Sequence, residues 1–354
     1  MTADLNILCL SKSGKNLVGS AHNQYLFEKE LGKVANVAYA GEGFPNYAPN
    51  ETLDETVGRV MPDADWVIDG DNQFHIKIPK DRSYNVGVFI SDLHAKHGYS
   101  IDNPVGLGSL LSESDYDMFF MRYPLIYGTR YRSDIVLSAI KNRSFWVPWS
   151  IDIDQFYPRE EQKYDVTMLG TLNRCYPLRQ DIWDGIYYTA RGFRVLRKEP
   201  PTLPNYVGTY QILKNKYIVG KDYCEALGST RILIFDCSDY LYPILKFFEA
   251  SASGCLMLSN APSMGKRLGF EAGKTFVEIN KENWEEVLRL HLAYPEFGDK
   301  IAEAGMKVTR EYHNHQIRAQ QLVSFMQNWE GPIVHEEGPV VQEESTGQEE
   351  GVVA

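Results

Sequence analysis

Short, nearly continuous apolar runs recur along the chain, separated by longer stretches of mixed polarity. LNILCL (5–10), VANVAYA (34–40), ADWVID (64–69), YNVGVFI (84–90), DMFFM (117–121) and FWVPW (145–149) have the length of strands. Several are spaced widely enough to hold a helix between them, as VGSAHNQYLFEKEL (18–31) does. This alternation predicts a mostly parallel sheet covered by helices on both faces.

The pattern restarts after WSIDIDQFYPREEQK, whose charges, aromatics and bracketing Pro148 and Pro158 mark a connector. YDVTML (164–169), FRVLR (193–197), RILIFD (231–236), CLMLS (255–259) and TFVEI (275–279) form a second strand series. The expected organisation is a Rossmann-like unit over 1–147, a connector over 148–163, a second Rossmann-like unit with C-terminal helices over 164–330, and a tail over 331–354. Ligands of such sheets sit outside the carboxyl ends of the strands, so a crevice between two facing units is the natural site.

One stretch stands out, LYPILKFFEASASGCLMLSN (241–260), because two charges interrupt a core-like pattern. Pro243 suits a first helical residue and Gly254 a position just past the end, which predicts a helix over 243–253. Lys246, Glu249 and Ser253 then share one face, while Phe247 and Phe248 point toward packing. The helix N-terminus follows the strand RILIFD and the loop CSDYLY, which ends in Tyr242, so its free amides face the crevice. Two readings stay open. Either Lys246 meets a bound diphosphate and Glu249 the ribose hydroxyls, or the two form a solvated ion pair worth a few tenths of a kcal/mol.

Composition narrows the class of protein. With 354 residues, 44% hydrophobic and 12% aromatic, the chain has apolar material for two cores. No stretch approaches the roughly 20 apolar residues of a membrane span, and NILCL is too short for a signal peptide, so a soluble cytoplasmic protein is expected. The five scattered cysteines contain no C-x-x-C and read as buried free thiols. Six glutamates with no Lys, Arg or aromatic residue mark 331–354 as a disordered tail, leaving −5 of the formal −11 on the body. Residues 121–146 carry a local +4 through Arg122, Arg130, Arg132, Lys141 and Arg143 against Asp134. That charge is local, which argues against a general nucleic-acid surface but is compatible with a nearby anionic ligand.

Three segments share a family resemblance. KFFEASASGCLMLSN, continued by FVEINKENWEEVLRLHLAYPEFGDKIAEAGMKVTREYHNHQIRAQQL, resembles the C-terminal half of GT-B glycosyltransferases, particularly the GT4-like and spore-maturation (CgeB-like) group. VPWSIDIDQFYP is similar to the segment that joins the two domains of those enzymes, and YDVTMLGTLNRCYPLRQDI to the opening of their nucleotide-binding domain. The resemblance covers roughly 147–325, and the N-terminal half matches in architecture alone. It implies a GT-B fold of two Rossmann-like domains facing across a crevice, with Glu249 at the position of the ribose-holding glutamate. The family pattern often places another glutamate eight residues earlier, where this chain has Leu241, and Asp239 is the nearest acid.

Other residues are candidates by position. Gly170 ends a strand and TLNR follows, so backbone amides there can approach a phosphate, with Arg174 and Arg179 either supplying charge or lying on the surface. Tyr242 completes the candidate donor-binding set with Lys246 and Glu249. SDLHAKHG (91–98) places Asp92 and His94 beyond a strand end, where His94 resembles in position a crevice histidine of GT4-like enzymes. Its roles are catalytic, contacting the donor sugar or taking the acceptor proton with Asp92, or structural, holding its own loop. A metal site through Asp92, His94 and His97 has no supporting ligand cluster. SKSGKN (11–16) lacks the Walker A spacing, but Ser13 and Gly14 can line the acceptor side or touch the donor phosphate. His313, Asn314 and His315 read as a helix start.

The resemblance thus implies transfer of a sugar from a UDP- or GDP-sugar donor to an acceptor hydroxyl, retaining and without a tightly bound metal or other cofactor. The acceptor class stays open among a glycan, a protein, a small molecule and a modified DNA base. Leu241 prompts a rival, a non-catalytic nucleotide- or glycan-binding protein of the same fold. A nucleotide-sugar epimerase is a further alternative.

Overall fold

A computed structural model describes residues 5–13, 19–70, 77–90, 115–123, 143–200, 213 and 216–331. The expected strand runs all carry strands. The first sheet contains β1 (Asn6–Leu10), β2 (Asn36–Tyr39), β3 (Trp66–Asp69), β4 (Asn85–Ile90), β5 (Met118–Met121) and β6 (Ser144–Trp146), in the order β2-β1-β3-β4-β5-β6. The second contains β7 (Tyr164–Leu169), β8 (Val195–Lys198), β9 (Thr230–Ile234), β10 (Leu256–Ser259) and β11 (Val277–Glu278), in the order β11-β10-β9-β7-β8. Every pairing between these strands is parallel. β6 stops at Trp146, short of the FWVPW run, because Pro148 has no N–H to continue a ladder.

Near-continuous apolarity follows from burial on both sheet faces. In β1, Leu8 joins one core while Ile7 and Cys9 join the opposite one. In β9, Ile232 and Ile234 face one side and Leu233 the other. The helices α1 (Gly19–Leu31), α2 (Leu53–Val60), α3 (Pro177–Thr189), α4 (Lys221–Gly228), α5 (Leu245–Ala252), α6 (Trp284–Ala293), α7 (Glu296–Tyr312) and α8 (His315–Gln327) cover the sheets.

The last helix revises the expected division of the chain. Assigned by sequence to the C-terminal unit, α8 instead places Ala319, Leu322, Val323 and Met326 in the core of the N-terminal sheet, beside Ile7, Phe27 and Phe120. The reversal occurs at the HNH triplet. Asn314 caps α8 by accepting from the Ile317 amide at 2.8 Å, as the helix-start reading expected. Around it, the Ile151 amide donates to the His313 carbonyl at 2.9 Å and the His315 amide to the Ile151 carbonyl at 3.1 Å, tying the connector to the turn.

All five cysteines are free; Cys175 is half-buried and the others are buried. Of the basic segment, Arg122 is buried and Arg143 half-buried, so neither contributes to an exposed basic surface; Arg130, Arg132 and Lys141 lie outside the described residues. No helix among the described residues is long and apolar enough to cross a membrane. The tail from 332 onward also lies outside them.

Candidate functional site

In the second sheet, β8 extends from one side of β7 and β9 from the other, so the strand order reverses between β7 and β9. Loops diverging from such a point open a crevice at the carboxyl ends. A cavity of about 300 Å³ lies there, lined by Gly170 and Thr171 after β7, Lys198 and Glu199 at the end of β8, and Ser238 after β9. The N-terminal unit closes it with Tyr123 after β5, Trp149 after β6, and Gly19 and Ser20 at the start of α1.

Lys246 and Glu249 both line this cavity from α5. The helix starts later than expected, at Leu245 with Ile244 as its cap residue, because the Tyr242 and Ile244 amides donate to the Cys237 and Tyr242 carbonyls and hold the loop as a turn. Gly254 occupies a left-handed conformation (φ +75°) just past the helix end, as expected. Phe247 and Phe248 are fully buried in the core. The solvated-pair reading fails, since Glu249 is only 6% exposed and forms no ion pair with Lys246 among the described residues. Tyr223 of α4 instead stands between them, donating to Glu249 Oε2 at 2.7 Å and accepting from Lys246 Nζ at 3.0 Å.

Burial governs the charges here. It lowers Lys246 to about 8, with Glu249 opposing and the positive charge of Arg179 adding to the fall. Burial raises the Glu249 carboxyl, against the pull of Lys246 and the Tyr223 hydrogen bond. The Tyr223 hydroxyl is pushed well up, by burial first and then by Glu249, so it stays a donor.

The remaining candidates divide. Arg179 reaches the cavity wall, but its guanidinium is buried, 3.0 Å from Asp236 Oδ1, donating to the Thr171 carbonyl at 2.9 Å and stacked 3.7 Å over Tyr176. Gly170 lines the cavity too, and a side chain there would meet Arg179 Nη1 at 2.6 Å, so the glycine makes room for that clamp. Tyr242 stacks on Tyr123 of the other unit, centroids 4.2 Å apart and planes within 1°. Arg174 is exposed and outside the cavity lining. Ser13 also lies outside it, its amide donating to the Glu42 carbonyl at 2.8 Å, whereas Gly14, Asp92, His94 and His97 fall outside the described residues. Leu241 is half-buried in a left-handed conformation (φ +52°), and neither it nor Asp239 lines the cavity.

Sequence reasoning missed Tyr223, Tyr123 and Trp149. The last two follow strands, so the carboxyl-end rule was available for them. Nothing in KDYCEALG (221–228) distinguishes Tyr223 from a packing residue.

The fold is the two-domain Rossmann-like architecture of GT-B glycosyltransferase structures. The chain is similar to sucrose-phosphate synthase from Thermosynechococcus elongatus, with a TM-score of 0.61 and 11% identity over 91% of this chain and 98% of that one. It is likewise similar to HepE from Anabaena in complex with UDP and glucose, with a TM-score of 0.61 and 10% identity over 92% of this chain and 100% of that one. AviGT4, a glycosyltransferase involved in avilamycin A biosynthesis, aligns with a TM-score of 0.56 and 13% identity over 91% of this chain and 97% of that one. Residues 187–324 match the model of a family described as glycosyl transferase-like. No match was found among curated proteins.

Proposed function

We propose that this protein is a GT4-like glycosyltransferase, of the spore-maturation (CgeB-like) kind, that transfers a sugar from a nucleotide-diphosphate donor to an acceptor hydroxyl with retention. The observation that carries the reading is the pair Lys246 and Glu249, both turned into a cavity at the point where strand order reverses. Lys246 has three donors and a single acceptor among the described residues, so it retains hydrogen-bonding capacity for a diphosphate. Glu249 supplies an acceptor for ribose hydroxyls. The N-terminal amides of α5 add partial positive charge at the departing diphosphate, so the reading requires no tightly bound metal. HepE in complex with UDP and glucose supports a uridine donor, with a guanosine donor as the other member of the reading. His94 and Asp92, which lie outside the described residues, act on the sugar or the acceptor proton, as the resemblance implies.

The test is a thermal-shift and calorimetric screen of UDP, GDP, ADP, CMP and their sugars, followed by sugar release from each binding donor. A ligand at 100 times its Kd stabilises by about 2.7 kcal/mol, which resolves binders from non-binders. Glu249→Ala is expected to weaken nucleotide binding by about 1.5–3 kcal/mol while the protein stays folded. Unchanged affinity would remove Glu249 from the site. A second reading, donor binding without transfer, is favoured by Leu241, which brings no carboxylate to the cavity where the family often has one. Nucleotide binding with no sugar release to any acceptor would establish it.

A further inference from the structure

We propose that Tyr223 is a positioning residue of the nucleotide site, its hydroxyl holding Glu249 Oε2 so that Oε1 is the oxygen offered to a ribose hydroxyl. The inference rests on the nucleotide reading above and adds to it a residue that neither the family resemblance nor the neighbours assign.

The geometry carries it through donor and acceptor capacity. An ammonium only donates and an ionised carboxylate only accepts, whereas a phenol does both. The chain Lys246 Nζ to Tyr223 Oη at 3.0 Å, then Tyr223 Oη to Glu249 Oε2 at 2.7 Å, therefore runs in one direction. Without the bridging hydroxyl, the carboxylate and the ammonium one turn away would be drawn into a direct pair, turning Glu249 along the helix. With it, Oε2 is held, while Oε1 makes no hydrogen bond among the described residues and belongs to a side chain that lines the cavity.

Tyr223 is itself fixed. Its ring meets Phe156 of the connector edge to face, centroids 6.2 Å apart and planes at 76°, and Lys246 Nζ lies 5.3 Å from the ring centroid. The alignment of Glu249 is thus set by α4 and the connector as well as by its own helix. A hydrogen bond between fixed groups costs less ordering entropy when a ligand arrives than one made by a free carboxylate.

The decisive experiment titrates UDP, GDP and ADP, and the 2′,3′-dideoxy form of whichever binds best, into the full-length wild type and Tyr223→Phe by calorimetry. The phenylalanine keeps the ring against Phe156. The expected result is about a tenfold loss of affinity for the ribonucleotide, equivalent to about 1.4 kcal/mol, and no difference between the proteins for the dideoxy form. A merely structural tyrosine would weaken both ligands alike.

Equal affinity of both proteins for the ribonucleotide, or equal losses for both ligands, overturns the role of Tyr223 and leaves the nucleotide reading intact. Absence of binding of all three nucleotides to the wild type overturns both.

Discussion

At the cavity, Lys246 donates to a tyrosine hydroxyl that in turn holds a carboxylate; at the seam where the connector, α1 and α8 meet, Arg122 and Arg318 are held by rings and neutral groups. Arg122 lies 4.3 Å from the Phe89 ring centroid and 4.8 Å from that of Trp149, and donates to the Val147 carbonyl and to Gln24 Oε1. Arg318 donates to Gln321 Oε1 and contacts His313 Nδ1 at 2.7 Å. Neither arginine forms an ion pair among the described residues. Both are pushed down to about 9, chiefly by burial, and stay charged at neutral pH. At the seam the rings of Phe27, Phe89 and Trp149 pack around Arg122, so there a buried cation is part of the packing. Both places leave donors unused, Nε of each arginine at the seam and donors of Lys246 at the cavity, but only Lys246 and Glu249 line the cavity described above, where a ligand can reach them.

The difference between seam and cavity has three measurable consequences. The largest effect is expected from Arg122→Ala, which strips a side chain from between Phe27, Phe89 and Trp149 and leaves the Gln24 and Val147 oxygens without their donor. Denaturant unfolding should show a loss of about 2–5 kcal/mol, about 1–3 from each buried acceptor left unpaired. If stability is retained and nucleotide binding disappears, Arg122 is a site cation and the contrast is wrong.

Next in size is acid sensitivity of the seam. Burial lowers both His313 and His315 to about 3 from 6.5, with neighbouring arginines adding to the fall. The unfolded chain therefore binds protons below pH 6.5 that the folded one refuses, and stability must drop as pH falls from 6.5 toward 3. At pH 5.5 the loss relative to neutral pH is about 1 kcal/mol per histidine. Urea midpoints measured from pH 7 to 5 should decline, and a His315→Gln variant should show a shallower decline. Identical slopes would mean that His315 does not titrate in this way.

The smallest effect concerns Lys246. Free protein with this amine near 8 loses its positive charge as pH rises above that value, while a bound diphosphate would hold the proton. Affinity for UDP should therefore fall by a factor approaching ten between pH 7 and 9, with no matching fall for uridine. Lys246→Met should abolish the difference. A wild-type UDP affinity independent of pH would place the diphosphate elsewhere.

Much of the fold was legible because strands buried on both faces need nearly unbroken apolar runs, and those runs are visible over five or six residues. The helix-start reading of the HNH triplet held for the same local reason, since Asn314 accepts from an amide three residues on. The start of α5 was misplaced because Pro243 suits a first helical position locally, while the loop before it is held by Tyr242 bonding back to Cys237. The candidate pair Lys246 and Glu249 was found by helical spacing, but its two readings could not be separated there, because a solvated face and a cavity face have the same periodicity.

Whatever is written within a turn or a strand could thus be read from the residues alone: two series of parallel strands, the break between them, and one helix face carrying an ammonium and a carboxylate. Which charges are used depends on long-range packing. It brought Tyr223 to Glu249 from 26 positions away, stacked Tyr123 of one unit on Tyr242 of the other, and sent α8 back across the connector to the N-terminal core. Each of these depends on the packing of elements distant in the chain. No local spacing encodes that packing, because the free energy that selects it comes from apolar surface buried between elements far apart in the chain.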